Sequence, residues 1–73
     1  MTKIEITVEP IELFKLLKFA NYASGGSEAK AVISDGQVKV NGVTETKKRK
    51  KIKVGDIVEF DGLEIQVVMK SAS

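Results

Sequence analysis

After the first ten residues the spacing of apolar residues changes once along the chain, and this change limits the folds that it can adopt. Between positions 13 and 33 the apolar residues recur at helical intervals in two groups. The helical positions are Leu13, Leu16, Leu17 and Ala20 in the first group and Ala29, Val32 and Ile33 in the second. From position 38 onward apolar and polar residues alternate, which is the period of a half-buried strand. The sequence therefore predicts two helices followed by three or four short antiparallel strands.

Tight-turn signals divide the second half of the chain into those short strands. The turn dipeptides are Asn41-Gly42, Gly55-Asp56 and Asp61-Gly62. Asparagine and aspartate beside glycine are typical of tight turns between antiparallel strands. We expect a hairpin-rich sheet.

The amino-terminal segment predicts one further strand and the start of the first helix. Ile4, Ile6 and Val8 alternate with polar residues, so we expect them on the same face of a strand over residues 3–8. Pro10 suits the first turn of a helix, where the missing N–H has no partner to lose. The first helix is therefore predicted to begin near Pro10.

The second helix has signals at both of its ends. Ser27 is a good N-cap residue, and Gly36 is a good residue just beyond the carboxyl end. With the strands, these helices predict an α+β fold in which the helices cover one face of a small curled sheet. The length of 73 residues predicts one domain over residues 1–73, with its core in 3–69 and a frayed end at 70–73.

Composition excludes several kinds of chemistry. The chain has no cysteine and no histidine, so it lacks a thiol nucleophile, the usual zinc ligands and the commonest general base. Asp56 and Asp61 lie in predicted turns and Glu59 lies on the outer face of a predicted strand, so nothing gathers these carboxylates in a pocket. We expect no enzymatic activity, no cofactor and no metal. No apolar run exceeds three residues, which predicts no membrane span and no signal peptide and favours the cytoplasm.

Half of the positive charge lies in one short stretch, the basic segment (residues 47–53). It holds six of the twelve cations and no acid, so its net charge is +6, whereas the other 66 residues carry −4. Crowded like charges repel one another unless an anion relieves them. The run fits a loop that binds nucleic-acid phosphates, a solvated loop without a partner, or a contact with an acidic protein or membrane. It is neither amphipathic nor helical, which disfavours the membrane.

A glycine-containing loop opens the second helix. Ser24-Gly25-Gly26-Ser27 would let a phosphate approach the backbone, and helix N-termini favour anions. Two glycines between helices are more often an ordinary turn. Lys30, one turn into the helix, either faces the same anion or is a plain surface lysine.

Aromatic residues are too few for a single-stranded RNA platform. Phe14 and Phe60 follow core-facing patterns, which leaves Phe19 and Tyr22 for other roles. Sheets that bind single-stranded RNA usually carry two or three aromatic residues on one face. Nucleic-acid binding by this chain would therefore depend on backbone charge and shape.

The motifs taken together resemble a known family. Ser27-Glu28-Ala29-Lys30, then Gly36 with Val38 and Val40-Asn41-Gly42, then Val54-Gly55-Asp56 with Val58, resemble the S4 RNA-binding domain over residues 12–60. The chain is most similar to the small stand-alone bacterial proteins of that family. The resemblance implies an αL-type fold of two packed helices and a small antiparallel sheet. It also implies one RNA-binding surface from the second helix, the loop before it and a basic loop. By position, that surface would include Gly25, Gly26, Ser27, Lys30, Lys47, Lys48, Arg49, Lys50 and Lys51.

One position departs from the family pattern, and a second has lysine where arginine also occurs. Many members carry an arginine immediately before the serine, where this chain has Gly26. Lys30 keeps the positive charge of an arginine but loses its bidentate phosphate geometry. The function implied is a non-enzymatic, monomeric module that binds the phosphate backbone of structured RNA, ribosomal or transfer, in association with the ribosome. The alternative is an adaptor that docks an acidic protein through the basic segment.

Overall fold

Two helices and seven short strands make up the chain in the computed structural model, which describes residues 2–70. The elements are β1 (Thr2–Ile6), β2 (Ile11–Glu12), α1 (Leu13–Phe19), α2 (Gly26–Ser34), β3 (Val38–Val40), β4 (Val43–Thr44), β5 (Lys51–Ile52), β6 (Ile57–Phe60) and β7 (Leu63–Met69). The predicted α+β class, with two helices followed by a mostly antiparallel sheet, is confirmed. Of the frayed end expected at 70–73, residues 71–73 lie outside the described residues.

The main sheet joins the two ends of the chain. Its strand order is β1-β7-β6-β3-β4. The pairs are antiparallel except that of β1 with β7, which is parallel and runs from Thr2 opposite Ile65 to Ile6 opposite Met69. A separate antiparallel pair of β2 with β5 places Glu12 opposite Lys51. This small pair brings the end of the basic segment to the start of α1.

The core lies between the helices and the sheet. The two helices pack against each other. Most of the apolar positions predicted from spacing are buried, which confirms the two helical stripes and the alternation in the sheet. The fully buried large side chains are Leu13, Leu16, Leu17, Ile33, Val38, Ile52, Val58, Ile65 and Val67.

The amino-terminal predictions need two corrections. β1 ends at Ile6, so Val8 is 69% exposed and does not share the buried face of Ile4 and Ile6. Pro10 follows a cis peptide bond and precedes β2, so it is not in the first turn of α1. The chain stays extended through Glu12 because β2 pairs with β5, and α1 begins only at Leu13.

The start of α2 also differs from its prediction. Gly25 is the N-cap and Ser27 is the second residue inside the helix, so Ser27 does not cap it. The side chain of Glu28 reaches back and accepts hydrogen bonds from the Ser24 hydroxyl (2.5 Å) and the Ser24 N–H (3.3 Å). This contact fixes the chain just before Gly25, much as a capping box does. The N-cap therefore lies at Gly25 and not at the predicted Ser27.

The end of α2 and two of the turns are confirmed. Gly36 has a φ of +79° and donates its N–H to the Ile33 carbonyl, while Gln37 donates to Val32, which is a Schellman motif. Asn41-Gly42 and Asp61-Gly62 both have left-handed backbones, as two-residue hairpins require.

Candidate nucleic-acid interface

The basic segment is fixed by its backbone at the start of α1. The carbonyls of Lys48 and Lys50 accept hydrogen bonds from the N–H groups of Phe14 (3.0 Å) and Leu13 (2.9 Å). The first N–H groups of any helix lack partners within the helix, so the segment supplies acceptors that α1 needs. Residues 46–51 nevertheless remain exposed. Their backbone is held in place while their cationic side chains face solvent.

Phe14 links that segment to three lysines on the helices. Its ring is nearly buried, and the Nζ atoms of Lys30, Lys18 and Lys15 lie 4.8, 5.7 and 5.9 Å from the ring centroid. These distances are within the range of cation–π attraction. Lys30 belongs to α2, whereas Lys15 and Lys18 belong to α1. A single side chain therefore gathers cations from both helices beside the point where the basic segment docks.

We call this region the cationic surface. The structure places the predicted Lys30 at the Phe14 ring and the backbone of the basic segment at the Phe14 N–H. It adds Lys15 and Lys18 of α1, which were not among the site residues predicted from the sequence. The members of the cationic surface are Lys15, Lys18, Lys30, Lys47, Lys48, Arg49, Lys50 and Lys51.

The loop before α2 adjoins this surface. A Cβ atom built on Gly26 would lie 3.9 Å from Lys18 Nζ, so the Lys18 ammonium group stands beside the first residue of α2. A positive charge thus lies beside the position at which the family pattern often has an arginine. Neither Gly25 nor Gly26 has a left-handed backbone, and a Cβ on Gly25 would meet nothing within 4 Å. Neither backbone conformation nor lack of space therefore requires glycine at these two positions.

An acid also lies at the start of α2. The hydrogen bond from the Ser24 hydroxyl, followed by the one from the Ser24 N–H, lowers the pKa of Glu28. An ionised carboxylate in the first turn interacts favourably with the helix dipole. The chain's own Glu28 therefore already places a negative charge at this helix terminus, which makes the terminus less favourable for an external anion.

Glu12 lies within the cationic surface and organises part of it. Its Oε1 atom is 3.0 Å from Lys15 Nζ, and its Oε2 atom is 3.9 Å from Arg49 Nε. The hydrogen bond from Lys15 is the main reason that the pKa of Glu12 lies below its ordinary value, and the charges of Lys15, Lys51 and Arg49 act in the same direction. Surface ion pairs contribute little to stability. Glu12 therefore occupies Lys15, and more loosely Arg49, in the free protein and adds little to its stability.

The sequence offered a partial signal for the residues that it missed. Lys15 and Lys18 are spaced i, i+3, so they share one side of α1, and Lys18 lies one turn after Phe14. Only the packing of Phe14 against α2 shows that this side also meets Lys30. Within residues 2–70, no helix has the length and apolar character of a membrane span. The same part of the chain holds no group of three acidic residues placed to bind a metal.

Comparison with known proteins assigns the chain to a family. A model of the S4 domain matches residues 4–68, so the chain belongs to the S4 domain family. The resemblance stated from the sequence motifs is confirmed.

The relatives include two curated bacterial proteins. The chain is 48% identical over 58 residues to the "Putative RNA-binding protein YbcJ" of Escherichia coli (strain K12), which covers 80% of this chain and 83% of that protein. It is 38% identical over 59 residues to the "Probable ribosome maturation protein RlbA" of Bacillus subtilis (strain 168), which covers 81% and 83%.

A solved structure matches as well. The solution structure of YbcJ from E. coli, described as having an αL motif involved in RNA binding, superposes with a TM-score of 0.71 at 43% identity. The match covers 93% of this chain and 87% of that chain. The predicted αL-type fold is confirmed.

Proposed function

We propose that this chain is a non-enzymatic, monomeric RNA-binding protein of the cytoplasm. It binds the phosphate backbone of structured ribosomal or transfer RNA, in association with the ribosome. The observation that carries the proposal is the junction at Phe14. Its N–H holds the basic segment through Lys48, and its ring gathers Lys15, Lys18 and Lys30. The names of the two curated relatives support RNA and the ribosome as the partners.

The charge of the cationic surface suits a phosphate backbone. Eight cations lie there, whereas the chain as a whole carries a net charge of only +2. Two of them, Lys15 and Arg49, interact with Glu12 in the free protein. Phosphates would have to displace Glu12 from these two cations, and one RNA need not reach all eight at once, so we take about five neutralised phosphates as the working number.

The anchored backbone favours recognition of RNA shape. The basic segment is already fixed to Leu13 and Phe14, so less ordering entropy opposes binding than in an unanchored loop. Side chains cannot enter the deep, narrow major groove of an A-form helix, and proteins bind such helices mainly through their shape and phosphates. A rigid array of lysines fits that mode of binding.

The salt dependence of binding tests the electrostatic mechanism. Affinity for a ribosomal RNA hairpin would be measured by fluorescence anisotropy at several salt concentrations. With about five phosphates neutralised, the log–log slope should be roughly −3.5 to −4.5. Raising the salt from about 50 to 200 mM should then weaken binding by about two to three decades. A slope near zero would refute binding through phosphates.

Crosslinking in cells, followed by sequencing of the bound RNA, tests the identity of the partner. We expect reads from ribosomal or transfer RNA, and association with large particles that is lost after RNase treatment. Association that survives RNase would contradict the proposal and favour the adaptor that docks an acidic protein.

A further inference from the structure

An open cleft lies beside the cationic surface and has no role in the function proposed above. Its volume is about 420 Å³, within the ~300–1,000 Å³ typical of small-ligand sites. It lies between the connection from β1 to β2 and the carboxyl end of α1. The side chain of Glu9 accepts a hydrogen bond from the Val54 N–H (2.8 Å), which holds that connection in place. The apolar lining residues are Ile6, Val8, Pro10, Ile11 and Phe19.

Phe19 is the unusual residue of this cleft. It is 62% exposed, and it is the one aromatic among the well-exposed large apolar residues of the described chain. Val8, 69% exposed, lines the same cleft. Both side chains contribute little to the core, and exposed apolar surface of this kind often marks a binding site. A flat apolar ligand placed against Phe19 would remove that surface from water.

The charged lining of the cleft belongs to the cationic surface. Lys15 precedes Phe19 by one helical turn, and Lys51 enters from β5. Glu12 also lines the cleft, and its carboxylate is bound to Lys15. A ligand that combines a flat apolar face with a phosphate would match both parts of this lining. A nucleotide has that chemistry.

We propose that the cleft receives one unpaired nucleobase of the bound RNA, stacked against Phe19, while the adjacent phosphates meet Lys15 and Lys51. This inference rests on the proposed function and narrows its substrate to an RNA helix with a bulged or extruded nucleotide. Because every base has a flat π-face, stacking tolerates all four bases. The preference is therefore for an unpaired nucleotide and not for a sequence.

The test compares two RNA hairpins that differ by one bulged nucleotide. Binding is measured at fixed salt for the wild-type chain, for Phe19→Ala and for Leu63→Ala. Leu63 is a matched control because it is also exposed (51%) but lies far from the cleft. The strand β7 runs from Leu63 to Met69, and it is Met69 that pairs with Ile6 of the cleft lining. Six residues of extended strand put it roughly 20 Å away.

We expect the wild-type chain to bind the bulged hairpin about tenfold more tightly than the paired one, which corresponds to ~1.4 kcal/mol. Phe19→Ala should abolish this preference without changing affinity for the paired hairpin. Leu63→Ala should behave as the wild type does. Phe19 is exposed at the end of α1, so its replacement should leave the fold intact, and circular dichroism checks this.

Three results would overturn the inference while leaving the proposed binding of RNA phosphates standing. The first is equal affinity of the wild type for the two hairpins, and the second is a bulge preference that survives Phe19→Ala. The third is a change from dimer to monomer on Phe19→Ala in sedimentation, which would make the cleft a contact between two copies of this chain. If neither hairpin binds the wild type, the proposed function fails and the inference fails with it.

Discussion

Reversing two charges of the basic segment should separate RNA binding from folding. In the double variant Lys48→Glu with Arg49→Glu, two cations that we assign to phosphate contacts become anions. Each phosphate contact contributes about 0.7–0.9 to the salt slope, so the slope should become shallower by roughly 1.4–1.8. Phosphate contacts are taken to contribute nothing at about 1 M salt, and about 100 mM salt lies one decade below that. A slope shallower by roughly 1.4–1.8 therefore weakens binding at about 100 mM by roughly 1.4–1.8 decades. Repulsion by the new carboxylates brings the expected loss to about two decades or more.

The same structure predicts a small effect of this variant on stability. The Phe14 N–H donates to the backbone carbonyl of Lys48, which a glutamate at that position retains. The Arg49 side chain is 73% exposed, and its contact with Glu12 is a surface ion pair at 3.9 Å. Such pairs are worth about 0–1 kcal/mol. The thermal midpoint should therefore stay close to that of the wild type.

Fluorescence anisotropy with a labelled RNA hairpin provides the assay, and a charge-matched variant provides the control. Lys3→Glu with Lys39→Glu changes the net charge equally at two exposed residues of β1 and β3. We expect this control to retain most of the affinity. Thermal unfolding is measured for both, because Glu59 lies opposite Lys39 in the sheet and repels a new glutamate there. Equal losses in both variants, or wild-type affinity in the Lys48 and Arg49 variant, would refute the assignment.

Three further predictions test other parts of the account. Glu12→Gln should raise RNA affinity a few-fold by freeing Lys15 and Arg49. Because Lys15 lowers the pKa of Glu12, the ion pair stabilises the folded protein above the ordinary pKa of a glutamate, and this stabilisation is lost as the pH falls through the lowered pKa. The thermal midpoints of the variant and the wild type should therefore converge below about pH 4. Lys30→Ala should make the salt slope of RNA binding shallower by about 0.7–0.9. Gly36→Ala, at a φ of +79°, should cost about 1–2 kcal/mol in urea unfolding and leave RNA affinity unchanged.

The parts of the fold that depend on local interactions could be predicted from the sequence. The stripe that includes Leu13 and Leu17 predicts α1, and Asn41-Gly42 predicts a hairpin, because each signal lies within a few residues. The parallel pairing of β1 with β7 could not be predicted in this way. Alternation shows which face of a strand is buried but not which strand lies beside it, and Thr2 and Ile65 come from opposite ends of the chain.

Local signals also misplaced the starts of both helices. Pro10 and Ser27 are good helix-start residues, but the pairing of β2 with β5 delays α1 and the contact between Ser24 and Glu28 advances α2. In each case the boundary of the helix is decided by a contact that cannot be inferred from the residue at the predicted helix start. The finding agrees with the general rule that tertiary context overrides local propensity.

The candidate surface was predicted in part. The cations of the basic segment and Lys30 were inferred from charge density and from the family resemblance. The sequence does not point to Lys15 and Lys18, because the helical pattern only distinguishes the buried side of α1 from the exposed side. Their place in the cationic surface depends on the packing of Phe14 beside α2. The spacing of residues within α1 does not predict that packing.

The most direct test of the central claim is a map of backbone amide chemical shifts while a structured RNA hairpin is added to isotope-labelled protein. We expect the largest changes in three places: residues 47–51, the start of α2 from Gly25 to Lys30, and the Lys15 to Lys18 side of α1. The exposed residues at the start of β7, Leu63 and Glu64, should change little. Shifts concentrated on the start of β7, with the basic segment and α2 unaffected, would contradict binding through the cationic surface.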